Sequence, residues 1–246
     1  MLPWPTAKRP GEMPTAVGES AAEEVVGLKN LSITLEGKLI LDRIDFTIRQ
    51  AETVALLGAN GSGKTTLLKC LAGLVRPSAG EIQFRGQVRI DRRQVGFAGH
   101  EFGLYLELTP RENLTFAARM QGLPDAVCRA DHWLHELQFG QRNDQPTARL
   151  SQGMRQRLAI ARAMIHDPSL LLLDEPFAAL DTESRSWLEA RLAQWRRHGR
   201  AICLTSHDRD HAASLADRLI QIHDRCVTGL AVKHDRPSSL VARRSA

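Results

Sequence analysis

The chain has 246 residues, 43% of them hydrophobic and 25% charged, a composition typical of a globular protein with one large domain or two lobes. Its longest stretch without Asp, Glu, Lys or Arg, residues 53–63, is too short for a membrane-spanning helix, which needs about 20 apolar residues. The formal charge of +5 comes from arginines spread along the whole chain, without a basic stripe interleaved with aromatic residues, so nucleic acid is not an expected partner.

Both ends of the chain are expected to be flexible tails. Residues 1–24 contain four prolines and no apolar run of the kind that directs secretion, and residues 236–246 follow a domain predicted for residues 25–235. The cysteines have no metal-ligand spacing, and their apolar or mixed sequence surroundings predict buried or half-buried thiols. Such thiols indicate a reducing cytoplasm. The cysteines are Cys70, Cys128, Cys203 and Cys226.

The first predicted elements are antiparallel strands within residues 25–50. Here β-branched and aromatic residues alternate with polar ones around a turn at Glu36-Gly37. A short apolar strand, residues 53–57, then leads into a glycine-rich loop. Leucines at helical spacing follow the loop and predict a helix that closes at Gly73 and Pro77. The order is therefore strand, loop, helix.

The glycine-rich loop over residues 58–65 fits the phosphate-binding pattern G-x-x-x-x-G-K-[ST]. Its glycines let backbone N–H groups and a helix N-terminus face an anion. Lys64 is predicted to hold the β- and γ-phosphates of ATP, and the Thr65 hydroxyl to hold Mg²⁺. The residues predicted to bind the nucleotide here are Gly58, Asn60, Gly61, Ser62, Gly63, Lys64, Thr65 and Thr66.

Helical periodicity replaces strand signals between residues 109 and 165. Thr109 is a suitable N-cap, Pro110 suits the first helical position, and Glu112 completes a capping box. Farther along, Trp133, Leu134 and Leu137 form the apolar face of a second helix. The sequence therefore predicts an α-helical subdomain over about residues 97–160, inserted into an α/β core.

The core is predicted to resume with apolar strands over residues 170–173 and 201–205, each buried on both faces of a parallel sheet. Two acids follow the first strand. Asp174 is predicted to ligand Mg²⁺, and Glu175 to polarise the attacking water as general base. Two acids after a strand more often cap a helix, but a phosphate-binding loop in the same chain favours the catalytic interpretation.

The segment Leu150-Ser151-Gln152-Gly153-Met154-Arg155-Gln156-Arg157 resembles the signature of ABC ATPases. The resemblance extends over residues 25–232. It implies a P-loop NTPase fold of the α/β class: a mostly parallel core sheet, an antiparallel β subdomain and the inserted helical subdomain. In this family the signature Ser and the second Gly contact the γ-phosphate bound to a partner subunit. Ser151 and Gly153 thus imply a homodimer that encloses two ATP molecules.

Two further segments are similar to motifs of this family. Residues 178–181 resemble the D-loop, in which Asp181 takes part in coupling between the ATP sites. Residues 205–208 resemble the switch segment, in which His207 senses the γ-phosphate and contacts Glu175. The aromatic ring that commonly stacks on adenine falls near Leu35, a departure that leaves base stacking weak or supplied by another residue.

Residues 99–109, continued by Glu112-Asn113-Leu114, resemble the ATPase subunit of the cytochrome c maturation haem exporter. In that family a His commonly replaces the Gln that ligates Mg²⁺, which places His100 at the metal. The resemblance implies an ATP hydrolase of the ABC translocase type, peripheral on the cytoplasmic side of the bacterial inner membrane. Its partners would be integral permease subunits of a cytochrome c maturation complex. Phe102, Leu104 and Tyr105 are expected either to contact these subunits or only to pack on the helical subdomain.

Two alternatives to the haem exporter stay open. ATPases of exporters for drugs, lipids or polysaccharides share the Leu-Thr-x-x-Glu-Asn ending of this segment. A non-transport ABC ATPase is less favoured, because a chromosome or DNA-repair ATPase would carry a long coiled coil before the signature, and a translation factor would carry two cassettes.

Overall fold

The structure, a computed structural model, describes residues 23–88, 91–99, 102–178 and 180–231. The predicted C-terminal tail and all but the end of the N-terminal tail lie outside these ranges. The strands are β1 (Glu24–Leu35), β2 (Lys38–Arg49), β3 (Thr53–Leu57), β4 (Ala79–Phe84), β5 (Val95–Ala98), β6 (Leu170–Leu173), β7 (Ala201–Ser206), β8 (Arg218–His223) and β9 (Cys226–Ala231). The α-helices are α1 (Lys64–Leu71), α2 (Pro110–Met120), α3 (Ala126–Leu137), α4 (Gln152–Met164), α5 (Thr182–Arg197) and α6 (Arg209–Leu215).

An antiparallel sheet of three strands, in the order β2-β1-β4, forms the first layer. β1 and β2 pair antiparallel around Glu36 and Gly37, which both have positive φ, so the predicted hairpin is confirmed. One face of this hairpin supplies fully buried aliphatic side chains to a core shared with β3 and α1. These are Leu31, Ile33, Leu41, Ile44 and Ile48. Burial in β1 alternates only in part, because residues 25–28 and 31–33 are each buried in succession.

The second sheet has six strands in the order β5-β6-β7-β3-β8-β9, and its pairs are parallel except β8 with β9. Every residue of β6 and β7 is buried, as predicted from their continuous apolar runs, and every residue of β3 is buried as well. Because β7 lies between β3 and β6, the carboxyl ends of these three strands meet at one edge. The segments that follow them begin at that edge, where ligands bind in open α/β sheets.

Helices α2, α3 and α4 lie between β5 and β6 in the chain. Thr109 and Glu112 form the predicted capping box at the start of α2, with both reciprocal hydrogen bonds present. The predicted apolar face of α3 is also confirmed, since Trp133, Leu134 and Leu137 are buried. Phe97 and Ala98 belong to β5 and pair with β6, so helix begins only at Pro110, and the boundaries of a helical subdomain stay a prediction.

The prediction of four buried or half-buried thiols is wrong for two of them. Cys70 and Cys203 are buried, and burial raises the pKa of the Cys70 thiol to about 11. Cys128 and Cys226 are exposed, the first on α3 and the second at the start of β9. Mixed sequence surroundings did not reveal which face of each element points outward. Among the described residues, no helix is both long and apolar enough to cross a membrane.

Gly96 lets β5 lie directly against the end of α4. A Cβ at this position would come within 2.4 Å of the Ala163 carbonyl oxygen and 2.9 Å of Pro168 Cγ. We expect Gly96→Ala to lower the free energy of unfolding by about 1 to 3 kcal/mol, because backbone must move to accept the methyl group. Urea denaturation measures the effect.

The matched control is Gly229→Ala in β9, where a Cβ would meet no atom of the other described residues within 4 Å, apart from its chain neighbours. We expect this variant to unfold at nearly the wild-type urea concentration. Equal stability of the two variants would show that β5 and α4 are not in the close contact described.

Candidate functional site

The glycine-rich loop joins β3 to α1, as its sequence predicts. α1 begins at Lys64, and its N-cap, Gly63, has a φ of 103°, which side chains rarely adopt. A Cβ on Gly58 would lie 2.5 Å from Ser62 Oγ and 2.8 Å from the Ile222 carbonyl oxygen. The buried Ser62 Oγ has no hydrogen-bond partner among the described residues. An unpaired buried hydroxyl at a helix N-terminus fits a loop built to receive an anion.

Lys64 places its ammonium group against this loop. The residue is buried, and Nζ donates hydrogen bonds to the carbonyl oxygens of Gly58, at 2.8 Å, and Ala59, at 3.1 Å. The positive charge therefore lies beside the backbone N–H groups at the start of α1. Both features favour a bound anion, as predicted for the phosphates of ATP.

The two residues predicted to hold Mg²⁺ in this region contact each other. Thr65 Oγ1 donates to Asp174 Oδ2 at 2.8 Å, and Asp174 is almost completely buried. Hydroxyl and carboxylate oxygens are the hard donors that Mg²⁺ prefers, so this pair fits the ion. The third predicted ligand, His100, lies outside the described residues.

Thr205, at the end of β7, is hydrogen-bonded to both acids, a role that was not predicted from the sequence. Its Oγ1 donates to Asp174 Oδ1 at 2.8 Å and accepts from the Glu175 backbone N–H at 2.7 Å. The sequence did contain one indication of this role. Thr205 ends an apolar strand that was predicted to lie in the same parallel sheet as the strand before the two acids. One hydroxyl thus fixes the side chain of Asp174 and the backbone of Glu175.

Glu175 and His207 are hydrogen-bonded, as predicted. His207 Nδ1 lies 3.0 Å from Glu175 Oε2, with the histidine side chain 69% exposed and the glutamate side chain 20% exposed. Glu175 has a φ of 49°, which is uncommon for a residue with a Cβ and marks local strain. The bond from its N–H to Thr205 helps to hold that conformation.

The glycine loop, the start of α1 and the two acids line a cavity of about 390 Å³. Its walls are formed by Ile40, Asn60, Gly61, Gly63, Lys64, Thr65, Thr66, Asp174 and Glu175. A neighbouring cleft of about 400 Å³ shares Asn60 and is bounded by His207. Leu35, the position aligned with the adenine-stacking residue, lines neither space, whereas Ile40 lines the first. Among the residues that the structure describes, the lining of these two spaces therefore offers an aliphatic side chain beside the glycine loop.

Three predicted site residues do not line this cavity and lie close to one another. They are Ser151, Gly153 and Asp181. Ser151 caps α4 and accepts from the Met154 N–H, while Asp181 caps α5 and accepts from the Ser184 N–H. That bond from Ser184 lowers the pKa of Asp181. A Cβ on Gly153 would lie 3.6 Å from Asp181 Oδ2. The signature and D-loop segments thus adjoin each other, outside the cavity of their own chain.

Comparison with protein families gives one clear match. A family model described as "ABC transporter" matches residues 41–178, from the second strand to the segment after the two acids. The matched range contains the glycine loop, the signature segment and both acids, which together form or adjoin the site described above.

Two curated relatives illustrate the range of named transporters. The spermidine/putrescine import ATP-binding protein PotA of Nitratidesulfovibrio vulgaris is 35% identical over 209 residues, 82% of this chain and 57% of the relative. The Nod factor export ATP-binding protein I of Rhizobium johnstonii is 34% identical over 229 residues, 90% of this chain and 72% of the relative. This chain thus spans little more than half the length of the first relative.

A solved dimeric structure of a bacterial ABC transporter cassette has a similar fold. The TM-score is 0.77 and the sequence identity 26%, covering 85% of this chain and 99% of the other. The similarity therefore includes nearly the whole of that cassette, both sheets and helices.

The free energy of unfolding of Thr205 variants tests the role of this residue in holding the two acids. We expect Thr205→Val to lower the free energy of unfolding by about 2 to 4 kcal/mol, because a buried carboxylate oxygen loses a donor and a buried N–H loses an acceptor. Thr205→Ser keeps the hydroxyl and should lose only about 1 kcal/mol from the missing methyl group. Urea denaturation of both variants measures the difference. A valine variant as stable as the serine variant would contradict the assigned bonds.

Proposed function

This chain belongs to the ABC transporter family, and from that premise we propose that it is the ATP-hydrolysing subunit of an ABC transporter. The observation that carries the proposal is the continuous set of contacts beneath the glycine loop. Thr65 contacts Asp174, and Thr205 links Asp174 to Glu175. These contacts support the proposal of a cation site and a base beside a loop suited to phosphate, the combination that phosphoryl transfer needs.

In the proposed reaction, Lys64 and the loop N–H groups bind the phosphates of ATP. Thr65 and Asp174 would hold Mg²⁺, which neutralises charge on the phosphate oxygens. Glu175 takes a proton from the attacking water as general base. Because His207 engages Oε2 of Glu175, we assign Oε1 as the atom that receives the proton. His207 directly follows β7, so its hydrogen bond fixes the orientation of the Glu175 carboxylate relative to the end of that strand.

The proposed working unit is a pair of copies of this chain. Ser151 and Gly153 lie outside the cavity of their own chain, and a hydroxyl at a helix N-terminus is suited to an anion supplied by another molecule. The dimeric state of the similar solved cassette supports the same arrangement. We propose that each copy presents Ser151 and Gly153 to the γ-phosphate bound by the other, with Asp181 beside them.

The proposed membrane partner docks on a groove of about 430 Å³ between β5, α2 and α4. Large apolar side chains of this groove are exposed, and a permease segment with an apolar face would cover them. They are Leu74, Tyr105, Phe116 and Met120. Of the three residues considered for this contact, Tyr105 is 50% exposed, Leu104 packs against the core and Phe102 is half-buried. Tyr105 is therefore the one we assign to the permease.

The more specific proposal is that the complex is the haem exporter of cytochrome c biogenesis, at the cytoplasmic face of the bacterial inner membrane. It is supported by the segment over residues 99–114, with a histidine at position 100. The similarity to a Nod factor export protein over 90% of the chain favours a second candidate, an exporter of another cargo. The two candidates share the motor chemistry and differ in the permease.

We expect Glu175→Gln to leave equilibrium ATP binding unchanged and to slow ATP turnover by a factor on the order of 100 to 1,000, because the amide keeps the shape but cannot take a proton. Steady-state ATPase assays and ATP titration check the two parts. Glu81→Gln in β4 is the matched control and should keep wild-type turnover. Unchanged turnover in the Glu175 variant would remove this residue from the role of base.

Purification of the complex from its native membrane through a tag on this chain identifies the permease. We expect cytochrome c maturation proteins to co-purify and the ATPase activity of the complex to depend on Glu175. An unrelated permease with Glu175-dependent activity would keep the motor proposal and overturn the haem-exporter proposal. Mass spectrometry of the purified complex distinguishes these outcomes.

A further inference from the structure

The loop over residues 102–108, which forms one side of the exposed groove, is fastened to two helices. Asn113 of α2 is buried, and its side chain is hydrogen-bonded to both the N–H and the carbonyl group of Tyr105. Its Oδ1 accepts from the Tyr105 N–H at 2.9 Å, and its Nδ2 donates to the Tyr105 carbonyl oxygen at 2.9 Å. The Tyr105 ring also meets Phe116 edge to face, with ring centroids 5.1 Å apart. The loop therefore has a defined shape before any partner binds.

Arg162 fastens the same loop to α4. Its Nη1 donates to the Gly103 carbonyl oxygen at 2.6 Å, and a Cβ on Gly103 would lie 2.7 Å from Arg162 Nη2. Gly103 has a φ of 59°, so both the backbone conformation and the space suit glycine. Burial lowers the pKa of the Arg162 guanidinium, but arginine keeps its charge near neutral pH. The half-buried Arg162 guanidinium is thus hydrogen-bonded to the backbone of the loop at Gly103.

The loop is also joined to the chain that leads into the N-terminus of α4. The Thr147 N–H donates to the Leu108 carbonyl oxygen at 2.8 Å, and the Ala148 N–H donates to the Leu106 carbonyl oxygen at 2.9 Å. Ser151, the N-cap of α4, follows three residues later. The loop over residues 102–108 therefore contacts the chain on both sides of Ser151 and Gly153, at residues 147–148 and at Arg162.

We propose that Arg162 is a positioning residue that makes the loop over residues 102–108 and helix α4 move as one body. This inference depends on the proposed function, in which Tyr105 faces the permease and Ser151 faces the partner's ATP. Arg162 lies eleven positions after Ser151, which corresponds to about 16 Å along a helix at about 1.5 Å per residue. A displacement of the loop by the permease reaches the phosphate-facing end of α4 through this rigid element.

The guanidinium is suited to this task in a way that an ammonium is not. Arg162 reaches Gly103 through Nη1 while Nη2 lies against the same glycine, so the planar group is placed across the turn. Lysine has a single nitrogen on a flexible stem and cannot reproduce that planar contact. Arg162→Lys therefore keeps the charge and removes the geometry.

The test compares the ATPase activity of this chain alone and in its membrane complex. We expect Arg162→Lys to keep the basal activity and the KM for ATP of the isolated chain, and to reduce the stimulation by the permease roughly tenfold, within the usual range of coupling between sites. Gly103→Ala alters the same contact from the loop side and should give the same loss. Thermal unfolding of each variant confirms that the chain is folded.

The matched control is Arg218→Lys, because Arg218 also donates to a backbone carbonyl oxygen, that of Thr47, but lies on β8. This variant should keep permease stimulation. Stimulation of the folded Arg162→Lys and Gly103→Ala complexes equal to wild type would overturn the inference and leave the motor proposal intact. A wild-type complex without ATPase activity would instead refute the proposed function.

Discussion

The buried carboxylate of Asp174 is shared by two threonine hydroxyls, and this interaction fixes the geometry of the whole site. Asp174 is only 2% exposed, and a charge so far from water is costly unless hydrogen bonds surround it. Thr65 at the start of α1 and Thr205 at the end of β7 supply them. Since Asp174 follows β6, the ends of β3, β6 and β7 must meet. A sheet order that separated them would leave the carboxylate without one of its donors.

The same requirement explains the strained backbone of the neighbouring residue. Glu175 has a φ of 49°, and its N–H is directed to Thr205 Oγ1. A positive φ at a residue with a Cβ costs of order 1 to 3 kcal/mol and persists where surrounding bonds determine it. Here the chain turns sharply after β6, so that adjacent carboxylates point in different directions. Asp174 turns into the protein toward Thr65, and Glu175 turns toward His207.

Features with a local signal in the sequence were predicted well. The apolar runs of β3 and β6, the glycine loop and the capping box at Thr109 follow from neighbouring residues, and each was confirmed. β5 was not predicted, because its four residues form a strand only by pairing with β6, over 70 residues away in the chain. The role of Thr205 depends on the order of strands in the sheet, and no local sequence pattern predicts that order.

Gly153 has a packing role within its own chain that is separate from its place in the signature motif. A Cβ at this position would lie 2.8 Å from Ser184 Oγ, so the contact between α4 and α5 within one chain already favours glycine. Ser184 is itself held, because its Oγ accepts from Arg157 Nε at 3.1 Å and its N–H donates to Asp181. Packing within one chain thus favours glycine at this position whether or not a second copy approaches. Ser151 is the stronger indication of a shared phosphate site, because its hydroxyl lies at a helix N-terminus outside the cavity of its own chain.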